Sequence, residues 1–137
     1  MKEKIHIKQH IAKPVEKVWD LYTKPEHVIQ WNHASDDWHS TKAINDLRIG
    51  GRFSYRMEAK DGSFGFDFEG TYVSVVYPKH IAYTMDDQRF VTIEFHAKEN
   101  ETNVDVIFEA ESENDVELQR QGWQAILDNF KKYADNL

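Results

Sequence analysis

Two histidines, His33 and His39, bracket Asp36 and Asp37 in a polar stretch and together offer nitrogen and oxygen ligands to a divalent metal. Their spacing matches no established metal motif, and a polar loop gathers such residues by chance, so no metal or cofactor is assigned. His6 and His10 stand two strand repeats apart on one polar face, too far for one ion, and read as solvated. The acidic run Glu109, Glu111, Glu113, Asp115 and Glu117 has the composition for paired-carboxylate chemistry. It also leads into a helical stretch, where the helix dipole favours negative charge, and that is the simpler reading. There is no G-x-S-x-G elbow, H-E-x-x-H helix or phosphate-binding glycine loop, and without cysteine there is no thiol nucleophile. No catalytic residue is assigned.

The aromatic residues carry a stronger signal. The chain has 8 Phe, 6 Tyr and 4 Trp in 137 residues. Phe53, Tyr55, Phe66 and Phe68 fall on one face of a predicted hairpin, and Trp123 and Leu127 on one stripe of a predicted helix. Core packing accounts for such residues in general. Tyrosine hydroxyls and the tryptophan N–H, however, need partners when buried, and a bound molecule can supply them. Gln119, one turn before Trp123, is a candidate polar contact on the same helix. Trp31 is placed as a lid residue, and the segment from Trp31 to Trp38 as the point of access.

The elements that must position these residues follow from periodicity. Ile5, Ile7 and Ile11 alternate with His6, Lys8 and His10, the pattern of a half-buried strand. Pro14 opens a helix whose Val15, Val18, Trp19 and Tyr22 share one face. Thr23 and Glu26 form a capping-box pattern, which predicts a second short helix to about Gln30. Trp31 to Ser40 reads as loop or irregular edge.

After Gly50-Gly51 the pattern turns to strands. Asp61-Gly62 suits a two-residue type I′ turn, and counting outward pairs Met57 with Phe66, Tyr55 with Phe68, Phe53 with Gly70 and Arg56 with Asp67. A change of parity predicts a bulge near Gly70. Strands at 80–86, 90–98 and 102–111 follow. From Asn114, a predicted N-cap, the period becomes helical, with Leu118, Trp123, Ile126, Leu127, Phe130 and Tyr133 or Ala134 on the apolar side. This order predicts an α+β helix-grip fold over 1–137. A curved antiparallel sheet of about six or seven strands wraps a long C-terminal helix, with two short helices after the first strand. A bent sheet cannot touch a straight helix along its whole length, so a cavity is expected between them.

Composition excludes several classes. The absence of cysteine rules out a disulfide framework. No apolar run approaches the roughly 18 residues of a membrane span, and the charged N-terminus lacks the apolar core of a signal peptide. A net charge of −7, with scattered lysines, suits no polyanion, so no nucleic-acid partner is expected. The expected location is cytoplasmic.

The segment Ala12-Lys13-Pro14-Val15-Glu16-Lys17-Val18-Trp19-Asp20, with Trp31, Gly50-Gly51-Arg52-Phe53, Gly70-Thr71-Tyr72, Gly122-Trp123 and Leu127-Asp128, resembles the START-like superfamily. Within it, the chain is similar to the bacterial single-domain group related to the C-terminal domain of the activator of heat-shock-protein-90 ATPase. The resemblance runs nearly end to end. It implies a helix-grip fold with a deep apolar pocket, which different members use for lipids, hormones, polyketides or aromatic compounds. Many members carry a second aromatic after the tryptophan, where this chain has Asn32, which is either a polar contact at the pocket mouth or a feature of the loop. The eukaryotic activator has an additional N-terminal domain that these residues lack, so a chaperone partner rests on fold analogy alone.

Three functions are therefore carried forward. The first is binding of a small hydrophobic molecule through Trp31, Phe53, Tyr55, Phe66, Phe68, Gln119, Trp123 and Leu127. The second is a cyclase- or dehydratase-like enzyme, which requires an ionisable pocket group with a perturbed pKa. The third is a protein-interaction domain, which requires an exposed apolar patch.

Overall fold

Strand β1 (Lys4–Ile11) buries its isoleucines and exposes its histidine and lysine side, and helices α1 (Val15–Thr23) and α2 (Pro25–Trp31) follow at once. A meander of six strands comes next: β2 (Trp38–Asn45), β3 (Arg52–Ala59), β4 (Gly65–Val76), β5 (His80–Met85), β6 (Phe90–Lys98) and β7 (Glu101–Glu109). Helix α3 (Val116–Asp135) closes the chain. These elements come from a computed structural model that describes residues 3–137 of the expected domain; Met1 and Lys2 lie outside the described residues.

The seven strands form one antiparallel sheet in the order β1-β7-β6-β5-β4-β3-β2. Only β1 breaks sequence order, by pairing with β7. The sheet curls: α3 packs mainly on β1 and α2, while β2, at the opposite edge, packs on α2. The expected α+β helix-grip arrangement is the one observed. No helix among the described residues is long and apolar enough to cross a membrane.

The register of the β3–β4 hairpin is the one counted from sequence, with Met57 opposite Phe66, Tyr55 opposite Phe68, and Phe53 opposite Gly70. The turn itself differs. Only Gly62 has positive φ, Gly62 N–H donates to the Ala59 carbonyl, and Ala59 N–H donates to the Phe64 carbonyl. The loop is thus four residues, 60–63, built around one turn. Two- and four-residue loops centred on the same dipeptide leave the pairing unchanged, so the register survives the change of turn.

Three expectations give way, and a fourth takes its second form. Trp38–Ser40, read as loop or irregular edge, opens an edge strand that runs to Asn45 and has a register shift between Ser40 and Lys42. Thr23 ends α1 instead of capping α2: its Oγ1 donates to the Trp19 carbonyl, one turn back. The bulge falls at Val73, where β4 slips against β5, and turns Val73 outward. Leu118, placed on the apolar stripe, is 58% exposed, and the N-cap of α3 is Asp115, not Asn114.

Candidate ligand-binding cavity

Helix α3 lies over the β1–β7 side of the sheet. There Trp123 stacks flat on Phe108, with ring centroids 3.9 Å apart and planes 8° off parallel. Strands β3, β4 and β5 curve away from the helix, and the gap between them is a cavity of about 450 Å³. Its volume falls in the range typical of small-molecule sites.

Of the predicted residues, Phe53, Tyr55, Phe66 and Phe68 line it from the sheet, and Trp123 and Leu127 line it from α3. Phe53 is the hub of the sheet side, touching the rings of Tyr55, Phe68, Tyr72 and Tyr83. Its ring occupies the space that a side chain on Gly70, opposite, would need. A Cβ there would sit 2.8 Å from the Phe53 ring and 2.9 Å from the Thr84 carbonyl oxygen. Phe66, at the end of β4, is 41% exposed and also meets Trp38 at 5.9 Å.

Two predicted residues play other parts. Trp31 lines the cavity but is no lid: it ends α2, is 4% exposed, and its Nε1 donates to the Leu21 carbonyl at 3.0 Å. Its ring is wedged between Tyr22 and Phe130. The exposed members of the wall are instead Phe66, Asp67, Asp86 and Asp87, on β4 and in the turn after β5. Gln119 lies outside the cavity. Its Nε2 donates to the Glu111 and Asn114 carbonyls, and its Oε1 accepts from Glu111 N–H, tying down the loop before α3.

Sequence reasoning missed the tyrosines. Tyr22, Tyr72 and Tyr83 join Tyr55 in the wall, from α1, β4 and β5. Their hydroxyls lie close enough to influence one another, and burial raises the pKa of all four, that of Tyr72 to about 12. Tyr22 and Tyr55 nevertheless keep part of their surface accessible. That surface faces inward, onto the cavity. The Tyr72 hydroxyl donates to Asn45 Oδ1 at 2.6 Å, and Asn45 Nδ2 then donates to the Thr23 carbonyl. The signal that could have found them was Tyr83 on a strand with buried neighbours, and Tyr22 at the end of the α1 stripe.

Raised phenol pKa values leave these groups neutral near pH 7, able to donate and accept hydrogen bonds but poorly placed to act as bases. Asn32 is also in the wall, 4% exposed, and its Nδ2 has no hydrogen-bond partner. Elsewhere, His33 is held below the ordinary histidine range by burial and then by Lys60, and among the described residues no group of three or more His, Asp or Glu could hold a metal. His6 and His10, read as solvated, face Asp105 and Glu101 across the β1–β7 pair.

The curled sheet, the long helix and the apolar cavity between them define a START-like helix-grip domain. The chain belongs to the Activator of Hsp90 ATPase homolog 1-like protein family, whose sequence profile matches residues 12–135. It is similar to an AHSA1-like protein from Aeromonas hydrophila, with 44% identity over 98% of this chain and 93% of that one and a TM-score of 0.92. A protein from Cytophaga hutchinsonii is also 44% identical, over 97% of this chain and 92% of that one, with a TM-score of 0.84. A protein from Nitrosomonas europaea shares the fold at 20% identity, over 97% and 94% of the two chains, with a TM-score of 0.82. No curated protein matches the sequence significantly.

Proposed function

We propose that this protein binds a small hydrophobic molecule, ring-containing or lipid-like, in the cavity between the sheet and α3, and that it does so in the cytoplasm. The observation that supports this is the wall itself. Tyr22, Tyr55, Phe68, Trp123 and Ile126 lie on the core yet remain only partly buried, because part of each faces the cavity. A ligand that covers this surface gains about 25 cal/mol per Å² of apolar area removed from water. Trp31, Phe53 and Leu127 give the wall its rigid backing, and the tyrosines orient the bound molecule.

Native mass spectrometry of the freshly purified protein tests the reading. The expected result is a noncovalent adduct of a few hundred daltons, about the size the cavity holds, that is lost on denaturation. Re-addition of the released compound at a hundredfold excess over its Kd should stabilise the fold by about 2.7 kcal/mol. A bare mass, together with no thermal shift across a panel of two- and three-ring compounds at their solubility limits, would overturn it.

A further inference from the structure

The apolar side of the β3–β4 hairpin does not stop where the cavity does. Its inward positions follow the paired rows Phe53–Gly70, Tyr55–Phe68 and Met57–Phe66, all but the glycine in the cavity wall. The same side then reaches Phe64, whose carbonyl accepts from Ala59 N–H. Exposure climbs along this line, from 2% at Phe53 to 41% at Phe66 and 61% at Phe64. Strand β5 ends opposite Gly70, so residues 65–69 and the turn before them project beyond it as an open lip. Trp38, at the start of β2 and paired with Ala59, closes a triangle with the two outer rings. Its ring lies 6.0 Å from Phe64 and 5.9 Å from Phe66, and those two are 6.2 Å apart.

Three rings in mutual contact at a surface gain the packing of an aromatic cluster, yet they leave a contiguous apolar patch facing water. The charged residues of the hairpin do not interrupt it. Arg56 pairs with Glu58 and Asp67 on the other face, because successive residues alternate across the sheet. Phe66 belongs both to the triangle and to the cavity wall, so the two apolar surfaces are continuous. At about 3.4 Å per residue, the line from the Phe53 row out to Phe64 is about 20 Å long. A compact ring system covers only the inner part of that length, and an extended molecule covers all of it.

We infer that Trp38, Phe64 and Phe66 form an outer subsite of the cavity, and that the ligand is an elongated molecule, apolar along its length, whose far end leaves the cavity over Phe66 and lies on this triangle. The inference rests on the cavity being a ligand site, as proposed above, and chooses the long ligand over the compact one.

Straight-chain alcohols from 1-hexanol to 1-tetradecanol test it, by displacement of the fluorescent probe N-phenyl-1-naphthylamine from the cavity and by two-dimensional NMR of the indole N–H groups. Each added methylene should tighten binding to the wild type about 4-fold. Phe64→Ser changes a ring that is already 61% exposed. It should leave 1-hexanol unaffected and weaken 1-tetradecanol about 10-fold, the equivalent of two or so methylenes left uncovered. In the wild type, where no variant has to fold, the Trp38 indole resonance should move with 1-tetradecanol and not with 1-hexanol. Those of Trp31 and Trp123, in the cavity wall, should move with both. An equal loss for both alcohols in Phe64→Ser, no loss for either, or a Trp38 resonance that ignores 1-tetradecanol would overturn the subsite, while displacement of the probe leaves the cavity reading intact. A ligand-free dimer that Phe64→Ser dissociates would give the triangle to a second copy of the chain and overturn it as well. If neither probe nor alcohol binds, the cavity reading falls and this assignment falls with it.

Discussion

Phe108 and Phe68 both point inward from the same sheet toward the same tryptophan, yet they stand in different surroundings. Phe108, on β7, is fully buried and stacks flat on Trp123 at 3.9 Å. Phe68, on β4, meets that ring edge-on at 5.9 Å and keeps part of its surface on the cavity. The two strands are three places apart in the sheet. At about 4.8 Å per strand, that distance lets the curl carry β4 off the straight helix. One half of the sheet is filled by Ile5, Ile11, Val104 and Phe108; the other is hollow and lined by phenol and phenyl rings. The alternation of apolar residues is the same in both. Distance from the helix axis, not composition, decides which aromatic packs and which one borders the cavity.

The contrast can be broken most strongly in the filled half. Phe108→Ala removes a ring with no exposed surface and leaves a void against Trp123, so it should cost about 3–5 kcal/mol in urea unfolding. Gly70→Ala tests the boundary between the halves. Its Cβ would collide with the Phe53 ring and with the Thr84 carbonyl, which is backbone and cannot turn aside. A loss of about 2–3 kcal/mol is expected, at the upper end for overpacking, and Phe53 should be displaced into the cavity. Phe68→Ala, in the hollow half, should cost only about 1–2 kcal/mol, since the ring already borders open volume and its loss creates little new void. It should weaken binding of an apolar probe more than Phe108→Ala does per unit of stability lost. Equal destabilisation by the two phenylalanine truncations would erase the distinction.

The halves were not equally legible in the sequence. The hairpin register, the helix stripe and the facing aromatics came from alternation and spacing, because a one-residue slip would turn Phe53, Tyr55 and Phe68 to solvent. Seven of the eight residues predicted to bind a ligand are in the cavity wall. Gln119 is not, because its amide is spent on the loop carbonyls one and two turns away, a local use that spacing along a helix does not reveal. Strand β2 was unreadable for a different reason: Lys42, Asn45 and their neighbours bury little, and an edge strand owes its shape to the partner it pairs with. The tyrosine cluster was hidden because its members are far apart in the chain. Tyr22 comes from a helix and Tyr83 from the fifth strand, and only the curl of the sheet brings them together.

That cluster also gives the hollow half a pH signature the filled half lacks. Burial raises the Tyr72 pKa from 10.0 to about 12, and it raises those of Tyr22, Tyr55 and Tyr83 as well. Above pH 10 the unfolded chain releases phenol protons that the folded one retains. The stability linked to these groups is therefore complete below pH 10 and is lost as the pH climbs through about 12. Absorbance of the phenolate near 295 nm should lag in the folded state and then rise together with loss of the near-ultraviolet circular dichroism. Tyr72→Phe should cost about 1 kcal/mol at pH 7, from the lost bond to Asn45, and should make the alkaline decline shallower. Phe108→Ala, for all its larger effect at neutral pH, should leave the slope of that decline unchanged, because the four phenols raised by burial line the other half. If both variants shift the alkaline limb equally, the tyrosines are not the groups that set it.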